Sequence, residues 1–256
     1  MFRRTVVASA VLATALGLSA CSSSSSSSGP LIDSSMSASQ IATAAGSALA
    51  SVSILKLTGT VPSSGFQGPL VMSMNRNGEF NLSLTKQATD PAPSVQMIKS
   101  GSTIYLNIAP SYLQSQVPAL AKVPLAVRTA TINALSSKWL IVPKSGAFAS
   151  LGKIALVAKS LDLFNLAAQI SHIPSGATVG STGTVNGIEV VPISAGGTTI
   201  DVATATALPV QLSQAGASNS FTMSYPTSST IPPPSGAVTV SVALGAALSA
   251  ALAGIA

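Results

Sequence analysis

Charge is scarce in this 256-residue chain. Only 7% of the residues are Asp, Glu, Lys or Arg, and six of those are acids. There is one cysteine, Cys21, and one histidine, His172. A single cysteine allows no intramolecular disulfide, so stability has to come from a packed core. The acids Asp33, Glu79, Asp90, Asp162, Glu189 and Asp201 are dispersed. They offer no His/Cys/Asp spacing for zinc and no calcium-loop pattern, so no metal ligands are expected. A Ser-His-Asp triad would have only His172 to use, and no Gly-x-Ser-x-Gly elbow accompanies it. That histidine reads as a surface or helix-end residue. A glycosidase needs two facing carboxylates; six scattered acids do not exclude such a pair, but they read as surface groups. No glycine-rich loop opens a helix to cradle phosphate. The expectation is a protein without catalytic residues or cofactor, and not an enzyme.

Basic residues are thin as well. Ten of the twelve are scattered singly between Lys56 and Lys159, and aromatics make up only 4%. There is no basic stripe with interleaved aromatics, so nucleic acid is not an expected partner. With apolar residues at 47%, Ser, Thr, Ala and Gly must carry much of the surface. Either that surface is unusually neutral, or part of it meets something apolar.

What the chain does have begins at its N-terminus. Arg3 and Arg4 precede an uncharged apolar stretch from Val6 to Leu18, and Leu18-Ser19-Ala20-Cys21 follows. This is the order of a secretory signal, with an apolar region too short to span a bilayer. The Leu-Ser-Ala-Cys ending resembles the lipobox of bacterial lipoproteins. The resemblance implies cleavage before Cys21, lipidation of its thiol, and a mature chain tethered to the extracytoplasmic face of the cell membrane. Losing Arg3 and Arg4 would lower the formal charge from +6 to +4. Seven serines, Ser22 to Ser28, and Gly29-Pro30 come next; such a tract behaves as flexible coil. The organisation read from this is a signal peptide at 1–20, a Ser-rich tether at 21–35, one domain at 36–234 and an apolar tail at 235–256.

Within the domain the hydrophobic period changes twice. Ile41, Ala44, Ala45, Ala48 and Leu49 recur at helical steps over 37–50, with Ser37 or Ser39 as cap. Alternation then predicts a strand over Val52–Gly59. Leu70, Met72 and Met74 alternate with Val71, Ser73 and Asn75, and Phe80, Leu82 and Leu84 with Glu79, Asn81, Ser83 and Thr85. Between them stands Asn75-Arg76-Asn77-Gly78, a strong hairpin signal. Val95–Lys99 and Thr103–Ile108 flank a second turn. Residues 110–136 read as helical, broken at Pro118 and Pro124, and 138–142 as a short strand. Residues 147–171 carry apolar residues at helical spacing. Four strands follow, over Thr182–Ile193, Thr198–Ala203, Leu208–Ser213 and Ser220–Tyr225, with turns at Asn186-Gly187, Gly196-Gly197 and Gly216. Short turns between neighbours, with helices grouped separately, make this an α+β fold on an antiparallel sheet.

The hairpin also nominates a site. Leu70, Met72, Met74, Phe80, Leu82, Leu84 and Met97 would share one apolar sheet face. They either pack under the helices or line a ligand cavity; methionine suits a site that accepts variable shapes. After Pro232-Pro233-Pro234, residues 237–256 carry no charge. Alanine is weakly hydrophobic and no cationic anchor follows, so these residues read as a weakly ordered tail or surface-lying helix rather than a membrane span.

Several segments resemble the LolA-like superfamily, in particular its actinobacterial lipid-carrier lipoproteins of the LppX/LprG type. They include Val52-Ser53-Ile54-Leu55-Lys56-Leu57-Thr58-Gly59-Thr60, Lys138-Trp139-Leu140-Ile141-Val142-Pro143 and Gly183-Thr184-Val185-Asn186-Gly187-Ile188-Glu189. Thr198–Ala203, Leu208–Leu212 and Phe221–Tyr225 complete the set, which spans roughly 36–234. The resemblance implies a curved antiparallel half-barrel with helices packed on its concave face. It implies a space between sheet and helices for an acylated lipid ligand, and a membrane reached through the lipid anchor. It names no protein partner and carries no catalytic residue over. The chain departs from the family in its apolar tail and its Ala/Ser-rich helices.

Overall fold

A computed structural model describes residues 30–60, 67–116, 125–136, 138–142, 176–215, 220–228 and 230–239. Cys21, the serine tract, Pro118, Pro124, the helical pattern at 147–171, His172 and the tail beyond Thr239 lie outside the described residues.

The described chain runs α1 (Ala38–Ser51), β1 (Ile54–Thr60), β2 (Pro69–Asn75), β3 (Phe80–Leu84), β4 (Val95–Ser100) and β5 (Thr103–Ile108). It continues with α2 (Pro110–Gln116), α3 (Leu125–Leu135), β6 (Leu140–Val142), β7 (Thr178–Val179), β8 (Gly183–Val185) and β9 (Ile188–Ala195). The last elements are β10 (Thr198–Ala203), β11 (Pro209–Gln214), β12 (Ser220–Ser224) and β13 (Val238–Thr239). All thirteen strands belong to one sheet, ordered β13-β6-β5-β4-β3-β2-β1-β12-β11-β10-β9-β7, with β8 also on β9. The fold is α+β, and the sheet is open, curved and mostly antiparallel.

Local chemistry accounts for the elements. Ser37 caps α1 and forms a capping box: its hydroxyl accepts from the Gln40 amide, and the Gln40 side chain accepts from the Ser37 amide. The far end of α1 is closed by a long-range cation. Arg76, in the β2–β3 turn, donates to the carbonyls of Val52 at 2.7 Å and Leu49 at 2.5 Å, where the end of a helix presents negative potential. This contact ties the first hairpin to the first helix.

Two readings need correction. Thr182–Ile193 is not one strand. It is the hairpin β8–β9, turning at Asn186 (φ 51) and Gly187 (φ 80). Two consecutive left-handed residues define the tight turn that matches strand twist, and Asn-Gly is its preferred pair. The second correction concerns the Pro-rich segment and the start of the tail. Ile231 is buried on the outer sheet face against Ile54 and Ile98, with Tyr105 and Trp139 beside it. Val238 and Thr239 then pair in parallel with Leu140 and Ile141 of β6. The chain thus leaves β12 in mid-sheet and crosses to the far edge, seven strand spacings or about 34 Å away. Prolines suit this strap because it joins no ladder on its way. At the other end, Ile32, in the stretch read as tether, is fully buried, and the amides of Leu31 and Ile32 both donate to Thr204 O.

Candidate functional site

The seven nominated residues come together on one sheet face. Register sets Leu70 opposite Leu84, Met72 opposite Leu82, Met74 opposite Phe80, and Leu82 opposite Met97. Directly opposed residues point to the same side of a sheet. Six of the seven are buried and Leu84 is half-buried. The face is much wider than the nominated patch. One row runs Leu140, Leu106, Met97, Leu82, Met72, Leu57, Met223 across seven strands. The next runs from Ile108 through Val95, Leu84, Leu70, Gly59, Phe221, Leu212, Ile200 and Ile193 to Val179. Every residue in both rows is apolar or glycine. Gly59 is needed where it stands: a Cβ there would run into the Phe221 ring.

Helices cover this face in two parts. Tyr112 and Leu113 of α2 and Ile132 and Leu135 of α3 are buried against the β1–β6 strands. Ile41, Ala45 and Leu49 of α1 are buried against Val191, Ile193 and Val202 of β9 and β10. Since the second row passes through both regions, all three helices sit on the same side. Tyr225 packs against both clusters. Its hydroxyl donates to Pro209 O at 2.5 Å, and burial raises its pKa. Burial pushes the Tyr112 phenol up to about 12. Both phenols therefore stay neutral, and the interior between sheet and helices carries no charge from them. Lys99, opposite Phe80 and Ile104 on the last row of the face, turns its Nζ out to Gly78 O at 2.7 Å.

Alternation in Thr103–Ile108 was the signal for Leu106 and Ile108, and alternation in Ser220–Tyr225 the signal for Met223. Neither was joined to the patch, because only long-range register shows that β12 closes onto β1. Among the described residues no group of three or more His, Cys, Asp or Glu is placed to hold a metal ion, and no helix is long and apolar enough to cross a membrane.

No family model and no curated protein matches the chain. Among solved structures it is similar to LprF from Mycobacterium bovis, with TM-score 0.48 and 14% identity over 78% of this chain and 97% of that one. It is also similar to the lipoprotein LppX from Mycobacterium tuberculosis, with TM-score 0.42 and 11% identity over 73% and 91%.

Proposed function

We propose that this is a membrane-anchored envelope lipoprotein that binds or shuttles an amphiphilic lipid. The lipid's acyl chains lodge between the sheet face and the helices, and its headgroup stays at the mouth. Leu70, Met72, Met74, Phe80, Leu82, Leu84 and Met97 line that space, and Cys21 carries the anchor. The observation that carries the reading is the pair of wholly apolar rows that cross the sheet under the three described helices. Transfer of acyl chains is driven by burial, at about 0.8 kcal/mol per methylene. In this reading α2 and α3 are the lid, and no bond is made or broken.

The test is native mass spectrometry of the mature chain carrying Cys21→Ser, purified from a bacterial host. The expected result is a reproducible added mass, released on denaturation and extractable as lipid. Bare protein after incubation with envelope lipids would overturn the carrier reading. It would leave a structural or protein-interaction lipoprotein with a collapsed core. One observation favours that second reading: the nominated side chains other than Leu84 are already at most 4% exposed.

A further inference from the structure

The tether enters the domain at a defined place. Leu31 donates its amide to Thr204 O at 2.8 Å, Ile32 is fully buried, and Thr204 in turn donates its amide to Glu189 O at 2.9 Å. Leu31, the Thr204 loop and the β8–β9 turn therefore meet at one end of the sheet. Two of the most exposed large apolar side chains among the described residues are found there, Leu31 at 59% and Ile188 at 45%. Around them Asn186 and Gly187 form the hairpin tip, exposed Ala205 and Thr206 form the adjacent loop, and the carboxylates of Asp33 and Glu189 are exposed beside them. The nearby carboxylates are turned onto the rim's own donors. Glu189 Oε2 accepts from the Thr204 hydroxyl at 2.8 Å, and Asp33 Oδ1 accepts from the Ser35 amide at 2.7 Å.

Nine residues, Ser22 to Pro30, separate Cys21 from this rim. Nine residues span at most about 32 Å. A six-residue strand is about 20 Å long. The tether thus keeps the rim near the bilayer but is long enough to let the domain turn over. Two exposed aliphatic side chains at the point of attachment are suited to set its orientation.

We propose that the rim of Leu31, the Asn186-Gly187-Ile188 turn and the 204–207 loop rests in the interface of the bilayer that holds the anchor. This orients the strand ends of β9 and β10 toward the membrane. The inference rests on lipidation of Cys21, taken from the proposed function, but not on lipid carriage.

The test uses the full acylated protein in vesicles of phosphatidylethanolamine and phosphatidylglycerol. Acylation blocks Cys21, so single cysteines introduced elsewhere take a fluorophore selectively. Ile188→Cys and Ala205→Cys report on the rim, and Gln214→Cys, exposed on β11, on the opposite end. Flotation first reads the anchor. Shallow brominated lipids should then quench the two rim labels severalfold more than the label at 214. Protein that floats with equal quenching at all three sites overturns the orientation and leaves the anchor intact. Protein that does not float removes the anchor and the orientation together. Rim labels shielded in vesicle-free solution, in proportion to protein concentration, overturn the proposal in favour of contact between copies of the chain.

Discussion

The two halves of this sheet bury the same face with different materials. Over β9 and β10 the covering element is α1, fourteen residues with Ala42 and Ala45 buried and Ala44 and Ala48 partly so. Small residues let the helix backbone come close to Val191, Ile193 and Val202. Over β1 to β6 the strands present Met72, Met74, Met97, Phe80 and several leucines, and among the described residues the cover is the two short helices α2 and α3. A long capped helix on β-branched strand residues has few ways to move. Methionines with three rotatable bonds under two short helices have many. The lesson is that one continuous apolar face can be rigid at one end and adaptable at the other. The adaptable end is where the proposed ligand belongs.

Large-to-small substitutions should break this symmetry most visibly, since their cost depends on how well a site can collapse. Ile41 and Met72 are both fully buried. Ile41→Ala is expected to cost about 4 kcal/mol, because capped α1 cannot close the gap. Met72→Ala is expected to cost about 2 kcal/mol, at the low end of the range, because Met74 and Met97 can move into the space. Urea unfolding of the two variants side by side measures the difference; equal costs would erase the distinction. A smaller effect comes from overfilling. Ala45→Leu, against the close α1 interface, should cost about 2 kcal/mol, whereas the volume-conserving Met97→Leu should cost less than about 1.5 kcal/mol. If Ala45→Leu is tolerated as well as Met97→Leu in the same denaturant series, α1 is not closely seated.

Much of this division could be read from local pattern. Ser37-x-x-Gln40 before an alanine-rich run announces α1, and alternation around Asn75–Gly78 announces β2–β3. What escaped reading is whatever depends on partners far away in the chain. The Asn186-Gly187 turn is legible and is present, but Thr182–Ile193 alternates through it, so periodicity reads one strand where the turn makes a hairpin. The strap was hidden for another reason. Pro232-Pro233-Pro234 reads as an exit because proline ends strands, and nothing local reveals that Ile231 has a pocket between Ile54 and Ile98. The seven-residue patch was legible as a face. Its extension to Leu57 and Met223 was not, since it requires β12 to close onto β1 across more than 160 residues of chain.

The smallest expected effect also contrasts the two halves, through charge. Glu79 lies by the first hairpin. The Gly101 amide at 2.8 Å, the Asn75 side chain at 2.7 Å and the positive charge of Lys99 favour its ionised form, lowering its pKa below 4.5. A lowered pKa adds stability above the unfolded value, and that stability is lost as pH falls through the folded value. Asp201 lies on β10, between Gln211 and Pro192. Burial raises its pKa above 3.8, so its sign is opposite: the folded state is favoured while the group is protonated, and this is lost as pH rises through the folded value. Glu79→Gln should therefore lower stability at neutral pH, with the difference from the parent vanishing toward pH 3. Asp201→Asn should raise stability at neutral pH, with the gain vanishing over the same acid range. Thermal unfolding of both variants between pH 3 and pH 7 reads the two slopes. Slopes of the same sign would mean that Asp201 is held by a charge partner in solution, and the contrast between the halves would then be one of packing alone.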